Sequence, residues 1–577
     1  MYILGINGST LRDGIFSRFG GMHNSAACLL KNGELIAFVE EERFTHIKQF
    51  GGFPLHSIRY CLETAGIGIE EVDHIAYGWK SPWGIFSERL TTYLRTGLFF
   101  RVNYPIGVIA IDLLEVLSGG LGRAMKRHFG PGVPPITCIE HHRSHAASSF
   151  RCSGFDEATI LNIDGSGETT TTYFGHGVGN EVRTLDELIV PDSLGRAYAE
   201  FTQYLGFMPN NDEYKVMGLA SYGEPKYELD DLMRATPEGF ECDPSYFFRY
   251  DFLRGRYKVD KLEQRFGPRR LDDDQPVTQD HKDIAASLQG QVEKIGLHLV
   301  DRAVAKTSDR KLCLSGGVAL NVKLNGEILQ SGLVDELFIQ PVSNDAGVAL
   351  GAALELHARL GHSSKWKMEH LYYGPEYDDE QVDAALERSG LDYQHTSEIE
   401  AETAEEIARG RIIGWFQGRM EVGPRALGNR SILADPTVPG MDDKVNAEIK
   451  FREKWRPFCP SMHESAKEDY LEGACESPFM ILTFEIREEQ RKAVPSIVHI
   501  DGTARPHTVK PEINPRYHKL IGEFAGHSGH PVLMNTSFNI KGDTIVNTPE
   551  DAIRTFLDTG MDVLAMGNFM VRKKAGR

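Results

Sequence analysis

The apolar and polar positions of the chain alternate in patterns that predict strands and helices in turn. Short apolar runs bounded by glycine and asparagine turns indicate buried strands, as at Tyr2–Ile6, Ala158–Ile163 and Lys311–Leu314. A helical period over Ile284–Val304 predicts a long amphipathic helix, and Val348–Leu360 predicts a second helix. Strands that alternate with helices in this way indicate an α/β protein.

One combination of elements, a strand followed by a polar glycine turn and a hairpin, occurs twice in the same order. In the first copy the strand from Tyr2 precedes a hairpin over Ala26–Glu40. In the second copy the strand that ends at Ile163 precedes a hairpin over Thr169–Leu185, with its turn at Gly175–Gly179. The repetition implies a duplicated α/β unit. It resembles the fold shared by actin, sugar kinases and heat-shock chaperone ATPases.

The length of the chain, 577 residues, predicts more than one domain, because single hydrophobic cores stop growing at about 250–300 residues. A polar, turn-rich segment at Gly361–Glu376 marks the predicted boundary, which gives domains of residues 1–365 and 366–577. A composition with 41% hydrophobic and 25% charged residues is typical of soluble globular proteins.

Charge and cysteine content exclude several functional classes. A formal net charge of −19 opposes a broad nucleic-acid-binding surface. The eight cysteines include no C-x-x-C pair, so neither a zinc ribbon nor a disulfide framework is predicted. The N-terminus lacks the features of a signal peptide, and the apolar region Leu98–Leu117 contains too many polar residues to span a membrane. We therefore predict a cytoplasmic protein without a nucleic-acid or membrane partner.

A pair of histidines, His141 and His145, is spaced so that both lie on one face of a helix and can reach a single metal ion. The strand that follows them delivers Asp164 at its carboxyl end, where ligand sites of α/β sheets form. Asp345, at the end of a later strand, could complete a set of two histidines and two aspartates. The H-E-x-x-H glutamate is missing, which opposes a metalloprotease. The spacing alone leaves a structural histidine pair open.

Glycine turns at two strand ends predict anion binding in the same domain. The turn Asp164–Gly167 frees backbone N–H groups, and Ser315–Asn321 places two glycines between a strand and a helix start. Each is an ordinary turn when taken alone, whereas together they indicate a nucleotide cleft.

The C-terminal half repeatedly places arginine or lysine beside glycine and proline, which is unusual in an acidic chain. Arginine offers bidentate donors to phosphate or carboxylate, and lysine offers a point charge. The set predicts an anion pocket, with solvated surface cations as the alternative. The segments are Gly418–Ser431, Asp442–Phe451, Lys454–Phe458, Asp501–Pro506 and Val532–Asn539.

These segments together resemble the O-carbamoyltransferases of the NodU/CmcH type, and the resemblance spans nearly the whole chain. The most specific motifs are GPRALGNRSILADP and NTSFN. The others are Glu41–Phe44 followed by Gly52–Pro54, HHRSHAASSF, DGSGE, YKVMGLASYG, LSGGVALN, SNDAGVALGAAL, KWRPF and DGTARPHTV. The resemblance implies an actin-like N-terminal domain and a C-terminal domain similar to the YrdC enzymes, which make a carbamoyl-adenylate precursor for tRNA modification.

The resemblance also implies a reaction and its cofactors. The C-terminal domain would join carbamoyl phosphate and ATP to give carbamoyl-adenylate, with release of pyrophosphate and phosphate. The N-terminal domain would then transfer the carbamoyl group to a hydroxyl of a small-molecule natural product near a divalent metal, usually iron, with Mg²⁺ accompanying ATP.

Site residues follow from the matching motifs. The implied metal ligands are His141, His145, Asp164 and Asp345. The residues implied to hold carbamoyl phosphate and its adenylate are Arg425, Lys450, Arg505 and Ser537, with Asn535 and Arg456 as further candidates. The residues implied to line the N-terminal nucleotide cleft are Gly165, Ser166, Gly167, Lys215, Gly316, Gly317 and Asn321. Arg425 and Lys450 are expected to act in catalysis, and His23 is the candidate base, with a core histidine as its alternative.

Two other classes compete with this interpretation. A metabolite kinase on the actin-like fold is opposed by Asn7, which stands where phosphoryl-transfer members usually have aspartate. A chaperone-type nucleotide switch would need an apolar peptide groove in place of the C-terminal cations. The insertion Ser9–Gly21 is longer than expected of the family and borders the expected acceptor site, and its role is left open. Residues 80–135 and 225–275 match no assigned motif and are expected to shape acceptor specificity. The acceptor itself and a homodimer are left open.

Overall fold

The computed structural model describes residues 1–10, 22–251, 255–272, 275–363 and 365–573. It divides into two compact units. The N-terminal unit comprises Met1–Glu42 and Gln49–Met368, and the C-terminal unit comprises Arg43–Lys48 and Glu369–Arg577. The hexapeptide Arg43–Lys48 has no counterpart in the division predicted from sequence. Most of the Ser9–Gly21 insertion lies outside the described residues.

The strands of the N-terminal unit form two five-stranded sheets and two small ribbons. In chain order they are β1 (Tyr2–Asn7), β2 (Ala26–Lys31), β3 (Glu34–Glu40), β4 (His74–Tyr77), β5 (Ile136–Cys138), β6 (Glu157–Ile163), β7 (Thr170–Val178), β8 (Glu181–Ile189), β9 (Met233–Thr236), β10 (Gly239–Cys242), β11 (Tyr250–Asp251), β12 (Arg256–Tyr257), β13 (Lys311–Ser315) and β14 (Glu336–Ile339). The sheet orders are β3-β2-β1-β4-β5 and β14-β13-β6-β7-β8.

The two sheets have the same topology. In the first, β1 is antiparallel to β2 and parallel to β4. In the second, β6 is antiparallel to β7 and parallel to β13. Each sheet is thus a hairpin on a central strand with two parallel strands on the other side, which confirms the predicted duplicated actin-like fold.

The predicted turn at Gly175–Gly179 is wrong, because β7 continues through it to Val178. Gly177 lies inside the strand, where a Cβ would approach the Phe150 ring to 2.5 Å. Glycine is therefore required there by helix packing on the sheet, and the chain reverses only at Gly179 and Asn180.

The helices of this unit, in chain order, are α1 (Glu42–Thr45, of which only Glu42 belongs to this unit), α2 (Leu55–Ala65), α3 (Pro82–Arg95), α4 (Leu98–Arg101), α5 (Tyr104–Ser118), α6 (Gly120–Phe129), α7 (His141–Cys152), α8 (Leu194–Tyr204), α9 (Glu213–Ala220), α10 (Asp260–Phe266), α11 (Gln279–Thr307), α12 (Val322–Gln330) and α13 (Ala346–Arg359). The predicted helices near Ile284–Val304 and Val348–Leu360 are confirmed as α11 and α13.

Helix α13 is a buried element that packs between the first sheet and helix α7. It is buried from Ala346 to His357 and packs on β1, β2 and α7. A Cβ at Gly351 would lie 1.8 Å from the Ser144 carbonyl oxygen, so α13 and α7 approach as closely as two helices can. Because α7 carries His141 and the residue before α13 is Asp345, this packing sets the distance between candidate metal ligands.

Helix α5 buries acidic residues and exposes apolar ones, which is the reverse of an ordinary amphipathic helix. Its buried residues include Asp112 and Glu115, while Ile106, Leu114 and Leu117 are exposed. Across the described ranges no single helix is long and apolar enough to cross a bilayer, whereas the bent pair α5 and α6 has enough length and apolar character when counted together.

The C-terminal unit is built on one mixed eight-stranded sheet, which confirms its α/β class. Its strands are β15 (Tyr393–His395), β16 (Ile413–Phe416), β17 (Arg430–Ala434), β18 (Cys459–His463), β19 (Phe484–Glu485), β20 (Thr503–Ala504), β21 (His507–Val509), β22 (Val532–Ser537), β23 (Val563–Met566) and β24 (Phe569–Arg572). The sheet order is β15-β24-β23-β16-β17-β22-β18-β21, and β19 pairs separately with β20.

The helices of this unit cover the sheet, and its core includes the fully buried Trp415, Tyr517 and Phe524. They are α14 (Asp379–Ser389), α15 (Ile399–Ala408), α16 (Met441–Val445), α17 (Lys467–Tyr470), α18 (Glu488–Arg491), α19 (Pro515–Ser528) and α20 (Pro549–Leu557). Helix α16 passes directly into a π-helical turn at Asn446–Lys450, and Phe451 has a φ of +46°.

Candidate metal centre and anion pocket

The four predicted metal ligands converge in the N-terminal unit, and all are buried. His141 Nε2 lies 3.2 Å from Asp164 Oδ2 and 3.7 Å from Asp345 Oδ1. His145 Nε2 lies 3.6 Å and 3.9 Å from the same two oxygens. One nitrogen or oxygen atom from each residue thus lies within 4.8 Å of the other three. Helix α7 supplies the histidines and the ends of adjacent elements supply the carboxylates, as the sequence predicts.

The carboxylate of Asp164 is oriented by backbone donors. Its Oδ1 accepts the Gly165 N–H at 2.8 Å and the Gly317 N–H at 3.0 Å, which leaves Oδ2 for the histidines. Gly316 makes this possible, because its φ is +88° and a Cβ would lie 2.4 Å from the Ile163 carbonyl oxygen. Gly165 and Gly317, two glycines of the predicted phosphate turns, therefore orient this candidate metal ligand directly.

Burial and neighbouring charges shift the pKa values of the cluster in opposite directions. Burial favours the neutral form of Asp164, but the interactions of this carboxyl with His141 and His145 hold its pKa well below the ordinary value. Burial likewise opposes the charging of His141, yet the carboxylates of Asp345 and Asp164 raise the pKa of its imidazole. Asp164 is thus ionised at neutral pH, as a metal ligand must be.

The donor set fits a divalent transition-metal ion. Both ring nitrogens of His145 and Nδ1 of His141 are buried without a hydrogen bond to any residue that the structure describes. Buried imidazole nitrogens normally have partners, so nitrogens of this kind beside two carboxylates fit the binding of a metal ion. Two nitrogen and two oxygen donors suit iron, zinc or manganese better than magnesium, which prefers oxygen alone.

His23, the candidate base, lies at the edge of this cluster. Its Nδ1 is 3.7 Å from Asp345 Oδ2 and 2.7 Å from Asn24 Oδ1, and 39% of its side chain is exposed. Burial opposes its charging, but Asp345 and then Asn24 raise the pKa of the imidazole. Asn7 holds the backbone here: its Nδ2 donates to the carbonyls of His23 and Asn24 at 3.1 and 3.0 Å.

The other predicted nucleotide residues are distributed more widely. The Gly167 N–H donates to the Thr170 carbonyl, and Ser166 is exposed in the same turn. Lys215 forms an ion pair with Asp212 at 2.9 Å and lies over the Phe207 ring. The side chain of Asn321 caps α12 and hydrogen-bonds to Gln289. Nucleotide binding by these residues stays a prediction.

A substitution at Gly167 can test whether the turn after β6 supports the candidate metal centre. A Cβ at this position would lie 2.8 Å from His141 Cδ2, whereas a Cβ at Gly165 would meet no atom within 4 Å. We expect Gly167→Ala to weaken metal binding by about tenfold or more, because overpacking costs ~1–3 kcal/mol. Gly165→Ala, two residues away, is the matched control and should retain its metal. Equal metal content in both purified variants, by elemental analysis, would contradict the assignment.

Sequence reasoning missed two residues that support this site. Buried Glu168 lies with both carboxylate oxygens 3.4 Å from the His141 backbone N–H and accepts the Lys80 N–H at 2.8 Å. Arg89 donates to the Glu168 and Gly167 carbonyls at 2.7 and 3.1 Å. Glu168 directly follows the DGSG turn and could have been found there, whereas nothing in the sequence of α3 marks Arg89.

In the C-terminal unit, Lys450 lies at the end of the π-helical turn and is buried. Its Nζ donates to the carbonyl oxygen and Oδ1 of Asn539 at 3.0 and 2.8 Å, and to the Ser537 carbonyl. Burial, and then the charges of three neighbouring cations, hold the pKa of Lys450 well below its ordinary value; these neighbours are Arg452, Arg456 and Lys48. A bound anion would stabilise the charged form of a buried amine that lies among other cations.

The loop that carries Arg425 is folded around a buried carboxylate. Glu421 Oε1 accepts the backbone N–H groups of Leu427 and Asn429, each at 2.7 Å, and that of Arg430 at 3.1 Å. Asn535 of β22 donates to the Ala426 carbonyl at 3.2 Å. The loop is thereby held against the strand that ends at Ser537. Glu421 is a further residue that sequence reasoning missed.

The remaining predicted residues of this pocket surround the same strands. Arg505 donates to the Cys459 sulfur at 3.2 and 2.9 Å, and Cys459 of β18 pairs in register with Asn535. The Arg456 guanidinium lies 3.8 Å from Glu453, and its backbone carbonyl accepts from Asn446 at the start of the π-helical turn. Asn535, Ser537, Lys450, Arg505 and the Arg425 loop are therefore linked through hydrogen bonds and strand pairing.

Two family models match the chain. The model described as "Carbamoyltransferase N-terminus" matches residues 17–354, and the model described as "Carbamoyltransferase C-terminus" matches residues 404–573. Together they cover both candidate sites.

Named relatives agree with these matches. The nodulation protein NolNO of Sinorhizobium fredii is 39% identical over 96% of this chain and 79% of its own length. The nodulation protein NolO of Bradyrhizobium diazoefficiens is 41% identical over 76% of this chain and 79% of its own. The 3'-hydroxymethylcephem-O-carbamoyltransferase of Streptomyces clavuligerus is 28% identical over 78% of this chain and 83% of its own. The chain therefore belongs to the carbamoyltransferase family and is an enzyme that transfers a carbamoyl group.

Proposed function

We propose that the protein is an ATP-dependent O-carbamoyltransferase that works in two steps at two sites. The C-terminal unit forms carbamoyl-adenylate from carbamoyl phosphate and ATP, and the metal centre of the N-terminal unit serves transfer to an alcohol. The observation that carries the proposal is the pairing, in one chain, of a buried His₂Asp₂ cluster with a buried lysine among arginines. The name of the Streptomyces relative, an O-carbamoyltransferase, supports a hydroxyl acceptor.

In the first step, hydrolysis of carbamoyl phosphate yields carbamate and phosphate. A carbamate oxygen then attacks the α-phosphorus of ATP, pyrophosphate leaves, and carbamoyl-adenylate is formed. Lys450, Arg425 and Arg505 bind the phosphate and the developing negative charge, because charged donors held in a buried pocket stabilise such charge strongly. The Ser537 hydroxyl, which donates to Asn539 Oδ1 at 2.7 Å and accepts from Lys450, is a further donor for the phosphate.

In the second step, an alcohol oxygen attacks the carbamoyl carbon and AMP leaves. His23 accepts the alcohol proton as general base, since it lies at the rim of the cluster with part of its ring exposed. A divalent ion held by the two histidines and two aspartates would act as a Lewis acid toward the carbamoyl carbonyl. We propose iron, which suits mixed imidazole and carboxylate donors.

The acceptor is proposed to be a small hydroxylated molecule, selected by parts of residues 80–135 and 225–275. Arg89 of α3 reaches the Gly167 turn, and Glu115 of α5 accepts the Ser9 hydroxyl at 2.8 Å. Helix α3 therefore contacts the turn beside His141, and α5 contacts the turn that follows β1; both helices lie outside the motifs quoted above.

The proposal is tested by pyrophosphate release from ATP, measured with and without carbamoyl phosphate. We expect release that depends on carbamoyl phosphate, because the anion pocket must bind it before adenylate can form. Candidate alcohols are added in a parallel series, in case an acceptor is needed for turnover. ADP as the nucleotide product in both series, without pyrophosphate, would contradict the proposal and indicate the metabolite kinase.

A further inference from the structure

The hexapeptide Arg43–Lys48 is the part of the Glu41–Phe44 motif that the mechanism above does not use. It belongs to the C-terminal unit, although the residues on both sides of it belong to the N-terminal unit. The two residues that flank the hexapeptide are joined by a hydrogen bond, because Glu42 Oε2 accepts the Gln49 N–H at 2.6 Å. Glu41, which precedes Glu42, is bonded to the start of α2: its carboxylate accepts the backbone N–H groups of His56 and Ser57 at 3.0 and 2.7 Å. The hexapeptide is therefore a short loop with a fixed base.

The first residue of the hexapeptide, Arg43, is bonded to the loop of the anion pocket. Its side chain is only 3% exposed, and Nη2 donates to the Gly423 carbonyl at 2.8 Å. Gly423 has a φ of +92° and stands two residues before Arg425. A charge-assisted hydrogen bond to a carbonyl in this left-handed turn restricts the path of the backbone toward Arg425. The sequence contains no signal for this contact, which joins residues 380 positions apart.

His46 lies against the other side of the pocket. Its Nδ1 is 3.4 Å from Asp543 Oδ1 and its Nε2 is 3.5 Å from Asp551 Oδ1. The Asp543 carbonyl accepts from Asn539 Nδ2 at 2.8 Å, and Asn539 Oδ1 in turn accepts from Lys450 at 2.8 Å. His46 thus contacts the segment that holds the lysine.

We propose that Arg43 and His46 are positioning residues of the anion pocket: the hexapeptide sets the backbone that places Arg425 and the residues that hold Lys450. The inference rests on the proposed function of that pocket. Neither residue needs to touch the substrate. Their effect is geometric, because displacing a binding group by about 1 Å can cost on the order of 100-fold in rate.

The test is the dissociation constant of carbamoyl phosphate, measured by calorimetry on the full chain, together with pyrophosphate release. Arg43→Gln removes the charged guanidinium group, and Arg43→Lys retains a positive charge that can reach the Gly423 carbonyl. Arg59→Gln is the matched control, since Arg59 is an exposed arginine of α2. We expect Arg43→Gln to weaken carbamoyl phosphate binding about 10- to 100-fold, Arg43→Lys to recover part of the loss, and Arg59→Gln to match wild type.

His46→Asn provides a second line of evidence that does not depend on the stability of the Arg43 variants. We expect weaker carbamoyl phosphate binding, with unchanged melting temperature and unchanged metal content. Wild-type binding in both Arg43→Gln and His46→Asn would overturn the inference. A loss that follows the melting temperature and is not recovered by Arg43→Lys would also overturn it, because the residues would then be purely structural. If wild type binds carbamoyl phosphate but releases no pyrophosphate, the adenylation proposal fails and the binding series still decides the positioning role.

Discussion

Replacing Lys450 with alanine is expected to lower carbamoyl-phosphate-dependent pyrophosphate release by about 10²–10³-fold, the usual cost of losing one donor to developing charge. The reason is the environment of the amine. Lys450 is buried, is hydrogen-bonded to Asn539, and has a depressed pKa among neighbouring cations. An anion that binds beside it restores the charged form and gains a strong partner, and alanine removes both the charge and the donor.

The control for this variant is Lys492→Ala, because Lys492 is an exposed lysine of the same unit. Initial rates at saturating ATP and carbamoyl phosphate should equal those of wild type in this control. Metal content should be unchanged in both variants, since the metal ligands lie in the other unit. Adenylate formation by Lys450→Ala at the rate of the control would remove Lys450 from the pocket.

Replacing His145 with alanine is expected to remove the metal and stop carbamoyl transfer while adenylate formation continues. His145 provides one of four donors, and its ring nitrogens have no hydrogen bond to another described residue. Loss of a partner outside the coordination shell already costs roughly 10- to 100-fold in metal affinity, so loss of a ligand should cost more. The measurements are elemental analysis of the purified variant and pyrophosphate release.

His298→Ala is the control for the loss of an imidazole. His298 is a half-buried histidine of α11 whose Nε2 lies 2.8 Å from the Thr236 carbonyl oxygen, far in sequence from the cluster. It should retain full metal content. If His145→Ala also keeps its metal, His145 is a packing residue of α7. If it loses adenylate formation together with the metal, the two steps do not belong to separate sites.

The convergence of the candidate metal ligands could be predicted from sequence because its geometry is local. The spacing of His141 and His145 defines one helical face, and Asp164 follows a buried strand directly. Strand ends of the same sheet meet at one edge, which is why Asp345 could be added from a distant part of the chain. The duplicated topology was predictable for the same reason, since each copy repeats a strand and a hairpin.

The errors and omissions have a common physical cause, which is tertiary packing. Glycine-rich sequence predicts a turn at Gly177, yet Gly177 lies within a strand at a position where the ring of Phe150 leaves no space for a larger side chain. Arg89 and Arg43 support the two sites through bonds to backbone carbonyls far away in sequence. No periodicity or spacing reports such contacts. Glu421, two residues before the GPRALG motif, is not predicted because cations and not carboxylates mark an anion pocket.

The central claim, that the C-terminal unit makes carbamoyl-adenylate, is tested most directly by the mass of the nucleotide formed from ¹³C-labelled carbamoyl phosphate and ATP. The wild-type enzyme, rapidly quenched in acid before an acceptor is added, should yield AMP that carries the labelled carbamoyl group, together with stoichiometric pyrophosphate and phosphate. The signal should be retained in His145→Ala and absent in Lys450→Ala. Unlabelled nucleotide in every sample, with or without candidate alcohols and with ATP converted only to ADP, would contradict the account.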